Sequence, residues 1–171
     1  MTTADAHTVS IRRATSADLP RLGRLGALLV DEHHAFDERR FLPTRDRTPT
    51  DYATFLVRQL ADPNVIVLVA DDHGDVVGYA YATIEGYDYM SLRGPAGVIQ
   101  DIIVEPEFRG RGIARQLLTA TVDALNAGGA NQVVLSTAER NEAAQRLFAS
   151  VGFRRTMVEM TRELEPRNDQ R

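Results

Sequence analysis

Between an apolar run and a helical pattern the chain carries Arg109-Gly110-Arg111-Gly112-Ile113-Ala114. This hexapeptide limits the fold more than any other stretch. Gly110 and Gly112 permit positive φ and a close approach of backbone to ligand. The free N–H groups of a helix's first turn point into the same space, and the helix dipole adds positive potential. Two arginines complete a place suited to a diphosphate. The preceding run VIQDIIVEP (98–106) reads as a buried strand stopped by Pro106. Over 108–129, Ile113, Leu117, Leu118, Val122 and Leu125 recur at helical spacing, and Gly128-Gly129 closes the helix.

Several phosphate loops compete for such a turn. A Walker loop needs a Gly-Lys-Ser/Thr run that this sequence lacks. A dinucleotide fingerprint needs a third glycine where Arg115 stands, and an acidic residue about 20 positions on. Positions 130–135 read Ala-Asn-Gln-Val-Val-Leu instead. The spacing Arg/Gln-x-x-Gly-x-Gly/Ala of a coenzyme A pyrophosphate loop is met by Arg109, Gly112 and Ala114. On the hexapeptide alone, a plain strand–helix connection with exposed arginines stands beside that reading.

The flanking patterns supply the rest of the fold. TVSIRRA (8–14) alternates as a short strand, and Thr15 and Asp18 form a capping-box pattern that opens a helix over about 16–32. Residues 31–47, densely charged and holding Pro43, predict a loop. Thr48-Pro49-Thr50-Asp51 is a second capping box, whose helix puts Tyr52, Phe55, Leu56 and Leu60 on one face and ends at Asp62-Pro63. Strands at 64–72 and 76–86 join through a turn at Asp72-His73-Gly74-Asp75. A loop at 87–97, a strand at 131–138, a helix at 141–153 and a last strand at 154–164 complete the pattern. The order β-α-α-β-β-β-α-β-α-β predicts one α/β (α+β) domain over 8–164 with a mixed sheet, and flexible tails at 1–7 and 165–171.

Composition removes whole classes of function. At 171 residues the chain is one domain's worth. Its net charge of −4 argues against a broad nucleic-acid footprint. The absence of Cys excludes a thiolate nucleophile and a Cys-ligated metal. No apolar run approaches the roughly 20 residues of a membrane span, and MTTADAHTVS lacks the marks of a signal peptide, so a cytoplasmic protein is expected. In Asp31-Glu32-His33-His34-Ala35-Phe36-Asp37-Glu38, His33 and Asp37 lie one helical turn apart, but with no further His nearby in sequence no metal site is expected.

VIQDIIVEPEFRGRGIARQLL (98–118) and NEAAQRLFASVGF (141–153) together resemble two motifs of the GNAT superfamily of acetyl-CoA-dependent N-acetyltransferases. The second follows Asn-x-x-Ala-x-x-Leu-Tyr-x-x-x-Gly-Phe through Asn141, Ala144, Leu147, Gly152 and Phe153. The resemblance implies acetyl-CoA as co-substrate. Ile102, Ile103 and Val104 would offer backbone groups to its pantetheine arm, and residues Arg109, Gly110, Arg111, Gly112, Ile113 and Ala114 would hold its pyrophosphate. Asn141 would hydrogen-bond near the pantetheine, with Ala144 and Phe148 beside it. Strands 98–105 and 131–138 would splay apart around the cofactor. A dimer formed through the last strand is also implied.

In that family the amine attacks the thioester directly. The usual acid tyrosine falls on Phe148, which has no proton to give and is expected to form an apolar wall. Asp101, in Ile99-Gln100-Asp101-Ile102, resembles the Ile-Glu-Asp-Ile stretch of glucosamine-6-phosphate N-acetyltransferases and is the expected base. A structural carboxylate bonded to backbone is the alternative reading of Asp101, and Glu85 is a second candidate base. Ser136 stands where some ribosomal-protein acetyltransferases carry a Glu. His33, His34, Tyr87 and Tyr89 are expected to bind the acceptor, a small-molecule amine or a peptide; two solvated loops are the plainer account of them. The missing tyrosine also keeps open a non-catalytic acyl-CoA-binding module.

Overall fold

A sheet whose long strands carry near-continuous apolar runs must be covered on both faces. In the computed structural model, which describes residues 9–164, it is. Thr8 and the expected tails at 1–7 and 165–171 lie outside the described residues. The strands are β1 (Ser10–Arg13), β2 (Val65–Asp72), β3 (Asp75–Glu85), β4 (Ala96–Val104) and β5 (Val133–Leu135). They lie in the order β1-β2-β3-β4-β5, antiparallel up to β4, with β5 parallel to β4.

Two helices, α1 (Leu19–Phe36) and α2 (Thr48–Gln59), cover one face. There Leu22, Leu25 and Leu56 pack on Val67, Val69, Tyr79 and Ile103. On the other face, α3 (Ile113–Ala127) and α4 (Glu142–Ser150) bring Leu117, Leu118, Leu125 and Phe148 onto Leu68, Ala80, Ile99 and Val104. The two helices of the first face meet backbone to ring. A Cβ built on Gly26 would lie 2.2 Å from Cδ1 of Tyr52, so only glycine lets that ring rest on α1.

The pairing of β3 with β4 is irregular at one point. Tyr81 of β3 stands opposite Asp101, but the next residue, Ala82, stands opposite Ile99. Gln100 is therefore the extra residue of a β-bulge. Residues two apart on a regular strand share a face. Here Ile99 joins the core under α3, while Asp101 turns to the side of α1 and α2 with Tyr79 and Tyr81.

Several boundaries differ from the sequence expectations. Asp31–Phe36 continue α1, since the ring of His33 packs edge-on to Phe36 and Phe41. The helix ends at Asp37, whose carboxylate accepts the N–H groups of Arg39 and Arg40. The Thr15–Asp18 box forms, but on a single 3-10 turn (Ser16–Asp18) ahead of α1. Thr48 does not cap α2; its hydroxyl accepts from the N–H of Arg45, and the helix begins at Thr48 itself. Strand 131–138 shrinks to Val133–Leu135 because β4 and its neighbour diverge beyond that point. Among the described residues no strand follows α4. Residues 154–164 run exposed, tied to the body by the ion pair of Glu159 with Arg40.

Candidate active site

β4 has a neighbour on both sides only at its start. Gly97–Ile99 pair with Val133–Leu135, and β4 then runs on for five residues while β5 stops. The expected splay is present as a wedge between the two strands. At its end a cavity of about 230 Å³ lies against the glycine turn, with Val104, Phe108, Gly112, Ile113, Ala114 and Leu147 in its walls. Gly110 and Gly112 both have positive φ, +77° and +79°, and Gly112 is the N-cap of α3. A Cβ on either would meet nothing within 4 Å, so the turn is an open cradle beneath the first N–H groups of a 15-residue helix. That donor set fits a diphosphate.

The arginines of the turn differ in role. Arg109 donates from Nε to the Val104 carbonyl (2.8 Å) and pairs with Glu32 of α1, so it ties the end of β4 to a helix on the other face. Arg111 lies over the ring of Phe108, 5.1 Å from its centroid, and is exposed. Asn141 uses its side-chain oxygen to cap α4, accepting from the N–H of Ala144 at 3.1 Å. Phe148 is only 6% exposed and packs edge-on to Phe153; its neighbour Leu147, not Phe148, lines the cavity. Ile102 is half-buried, and Ile103 and Val104 are buried.

On the opposite face, Asp101 sits at the centre of a phenol cluster. The hydroxyls of Tyr52 and Tyr79 both donate to its Oδ2, the second at 2.9 Å, and the two phenol oxygens lie 3.3 Å apart. Desolvation raises the Asp101 pKa, while the two phenol donors and the nearby His33 charge pull it back down. Burial and the Asp101 charge push both phenols up, so they stay protonated as donors. A second cavity of about 430 Å³ opens beside this carboxylate. The rings of Tyr52, Phe55 and Tyr81 form its walls, each edge-on to the next, with centroids 6.3 and 5.8 Å apart. Gln100, Thr48 and Asp51 complete it.

The other expected residues lie elsewhere. Glu85 is engaged: Arg93 donates to one oxygen (2.7 Å), and Thr83 and Gln100 donate to the other. His33 shares Nδ1 with the Leu29 carbonyl and His34 with the Phe41 carbonyl. His33 is near enough to Asp101 to act on its charge, although neither imidazole is among the cavity walls. Tyr87 and Tyr89 stack on each other on an exposed loop and line neither cavity. Sequence reading misses Tyr79 and Tyr81 altogether and takes Tyr52 and Phe55 only as a packing face. The alternating tyrosines in VVGYAYATIEG are the signal that could have found them.

A cradle suited to a diphosphate, a splayed strand leading away from it and a carboxylate held by phenols are thus gathered around β4. The Acetyltransferase (GNAT) family profile matches residues 28–153, which include all of them. The chain belongs to the GNAT acetyltransferase family. The N-alpha-acetyltransferase RimI of Mycobacterium tuberculosis is 32% identical over 154 residues, 90% of this chain and 83% of that protein. Mycothiol acetyltransferase of Thermobispora bispora is 38% identical over 96 residues, 54% of this chain; the match spans only 31% of that protein. A "predicted acetyltransferase with acetyl-CoA" from Clostridium acetobutylicum superposes with a TM-score of 0.70 at 18% identity, covering 90% of this chain and 96% of that one. This last likeness shows the GNAT fold. Among the described residues no group of His, Cys, Asp or Glu could hold a metal ion, and no helix is long and apolar enough to cross a membrane.

Proposed function

We propose that this GNAT protein moves an acetyl group from acetyl-CoA to a primary amine, which attacks the thioester directly with Asp101 as base. The observation that carries this reading is the Asp101 carboxylate, held by two phenols between the splay of β4 and the larger cavity. An alkylammonium has a pKa near 10.4, so at pH 7.4 about one in a thousand is neutral, a cost of roughly 4 kcal/mol. A carboxylate that accepts the proton offsets that cost. The N–C bond then forms, the C–S bond breaks, and the thiolate leaves. With an ordinary thiol pKa near 8.5 it needs no acid, which suits a phenylalanine at position 148.

Acetyl-CoA supplies the activated acyl group. Residues 109–114 would hold its diphosphate, mainly through backbone N–H groups and Arg111, since Arg109 is paired with Glu32. The open edge of Ile102, Ile103 and Val104 would take the pantetheine, and Asn141, through its cap, would fix the start of α4 beside it. Asp101 is preferred over Glu85, which is ion-paired with Arg93 and lines neither cavity. The likeness to RimI, an N-alpha-acetyltransferase, supports an amine acceptor, small molecule or peptide. The reading includes a cytoplasmic location, where acetyl-CoA is available, and a homodimer in which residues 154–164 find a strand partner in a second copy.

The test is CoA release, read with a thiol reagent across an amine panel. The chain has no Cys, and its 20 basic residues are all arginines, so the protein adds neither thiol nor side-chain amine to the assay. Turnover is expected, and Asp101→Asn is expected to lower kcat/KM about a hundredfold or more, leaving the calorimetric Kd for acetyl-CoA within about twofold. Full activity of that variant would remove Asp101 from the mechanism. Acetyl-CoA binding with no turnover of any amine would favour the non-catalytic module.

A further inference from the structure

We infer that the larger cavity is the acceptor site and that it selects a primary amine on a ring-bearing, apolar stem without a carboxylate: an aralkylamine. This rests on the reading of Asp101 as the base and adds the class of amine that reaches it.

Three observations point to that class. The first is charge. Asp101 and Asp51 line the cavity, and no Arg or His is among its walls. Arg47 pairs with Asp51 at 3.7 Å, and both side chains are largely exposed. A substrate carboxylate would find no cationic side chain among the walls and would face Asp101 across a partly desolvated space, so an α-amino acid is penalised. The second is the wall material. Tyr52, Phe55 and Tyr81 present a continuous run of edge-on rings. Such walls take up an aromatic ring by edge and face contacts, and an ammonium passing over them by cation–π attraction. Phe55 is 44% exposed although it is aromatic, which leaves ring surface for a ligand to cover. The third is size. At about 430 Å³ the cavity lies near the lower end of the roughly 300–1,000 Å³ of small-molecule sites. One ring and a short amine chain fit that volume.

A polyamine is the strongest competitor, because two carboxylates could take two ammonium ends. The pairing of Asp51 with Arg47 offsets the charge of the outer one, leaving a single strong anionic point at the inner end. One ammonium beside Asp101 and an uncharged ring toward Phe55 is the better match.

The experiment compares 2-phenylethylamine, phenylalanine, hexylamine and putrescine as acceptors for the full chain, and titrates each by calorimetry in saturating CoA. The expected result is a kcat/KM for 2-phenylethylamine about tenfold or more above each of the others. Phe55→Ala should raise its KM about tenfold, with a smaller effect on hexylamine. Preference for phenylalanine or putrescine, equal use of hexylamine, or failure of 2-phenylethylamine to bind would each overturn the inference. Loss of all turnover while 2-phenylethylamine still binds, and binds more weakly to Phe55→Ala, would support the site and overturn the proposed transfer instead.

Discussion

Asp101 accepts two phenolic hydrogen bonds in a desolvated setting, so its proton affinity is a balance of opposing effects. Desolvation raises its pKa and the donors lower it. A base must be ionised, so kcat/KM should climb as pH rises through the Asp101 pKa. In Tyr52→Phe one lowering contact is gone, and the acid limb of the kcat/KM–pH profile should move to higher pH; an unmoved limb would mean another group sets it. A second carboxylate balances the other way. Asp18 is held down to about 2 by the Arg12 guanidinium at 2.8–2.9 Å and by the Thr15 N–H. Its folded pKa lies below its unfolded value, so its stabilisation is full above about pH 4 and is lost as pH falls toward 2. About 2 kcal/mol is at stake. Urea unfolding should show Asp18→Asn less stable than wild type at pH 6, with most of the gap gone near pH 2. The capping box that engages Asp18 is legible in four consecutive residues. The partners of Asp101 are not: Tyr52 and Tyr79 stand 49 and 22 residues away, and hydrophobic spacing assigns a side chain to a face without saying what it meets there.

The helix α3 starts from a left-handed glycine, and its start is the candidate phosphate cradle. Gly112→Ala puts a Cβ on a φ of +79°, at a cost of roughly 1–2 kcal/mol. The variant should melt several degrees lower and bind acetyl-CoA more weakly, both measurable on one preparation by thermal denaturation and calorimetry. Unchanged affinity would move the diphosphate away from this turn. That element is readable in the sequence because a strand, two glycines and a helical stripe are contiguous. The end of α1 is not, because Asp31 to Phe36 are polar by composition; what extends the helix is ring packing with Phe41, a contact across a turn. The pattern overstates β5 for the converse reason. Its sequence stays apolar to Leu135 and then Ser136-Thr137-Ala138 still suits a strand, but the neighbouring strand has already turned away.

At the scale of the molecule, the edge strands β1 and β5 each lack a partner on one side among the described residues. β5 has a strand on one side only, and residues 154–164 extend with Met157, Val158, Met160 and Leu164 between 74% and 90% exposed. Exposed edges and apolar side chains of this kind are a template for strand addition. Light scattering should therefore give twice the mass of the 19.0 kDa chain, and Met160→Asp should shift it toward the monomer. A wild-type monomer at micromolar concentration would end the dimer proposal. The sheet separates two tasks with great economy of sequence. On the proposed reading the diphosphate contacts come from 109–114, while the cavity beside Asp101 is walled by residues of 48–55 together with Tyr81 and Gln100. What lets one strand serve both is the additional residue at position 100. In a lineage, a single inserted codon at such a place rotates every later side chain of the strand to the other face at once. A position of the core face then meets the cavity side instead, and the cavity walls, spread from Thr48 to Asp101, can change while the glycine turn at 109–114 stays as it is.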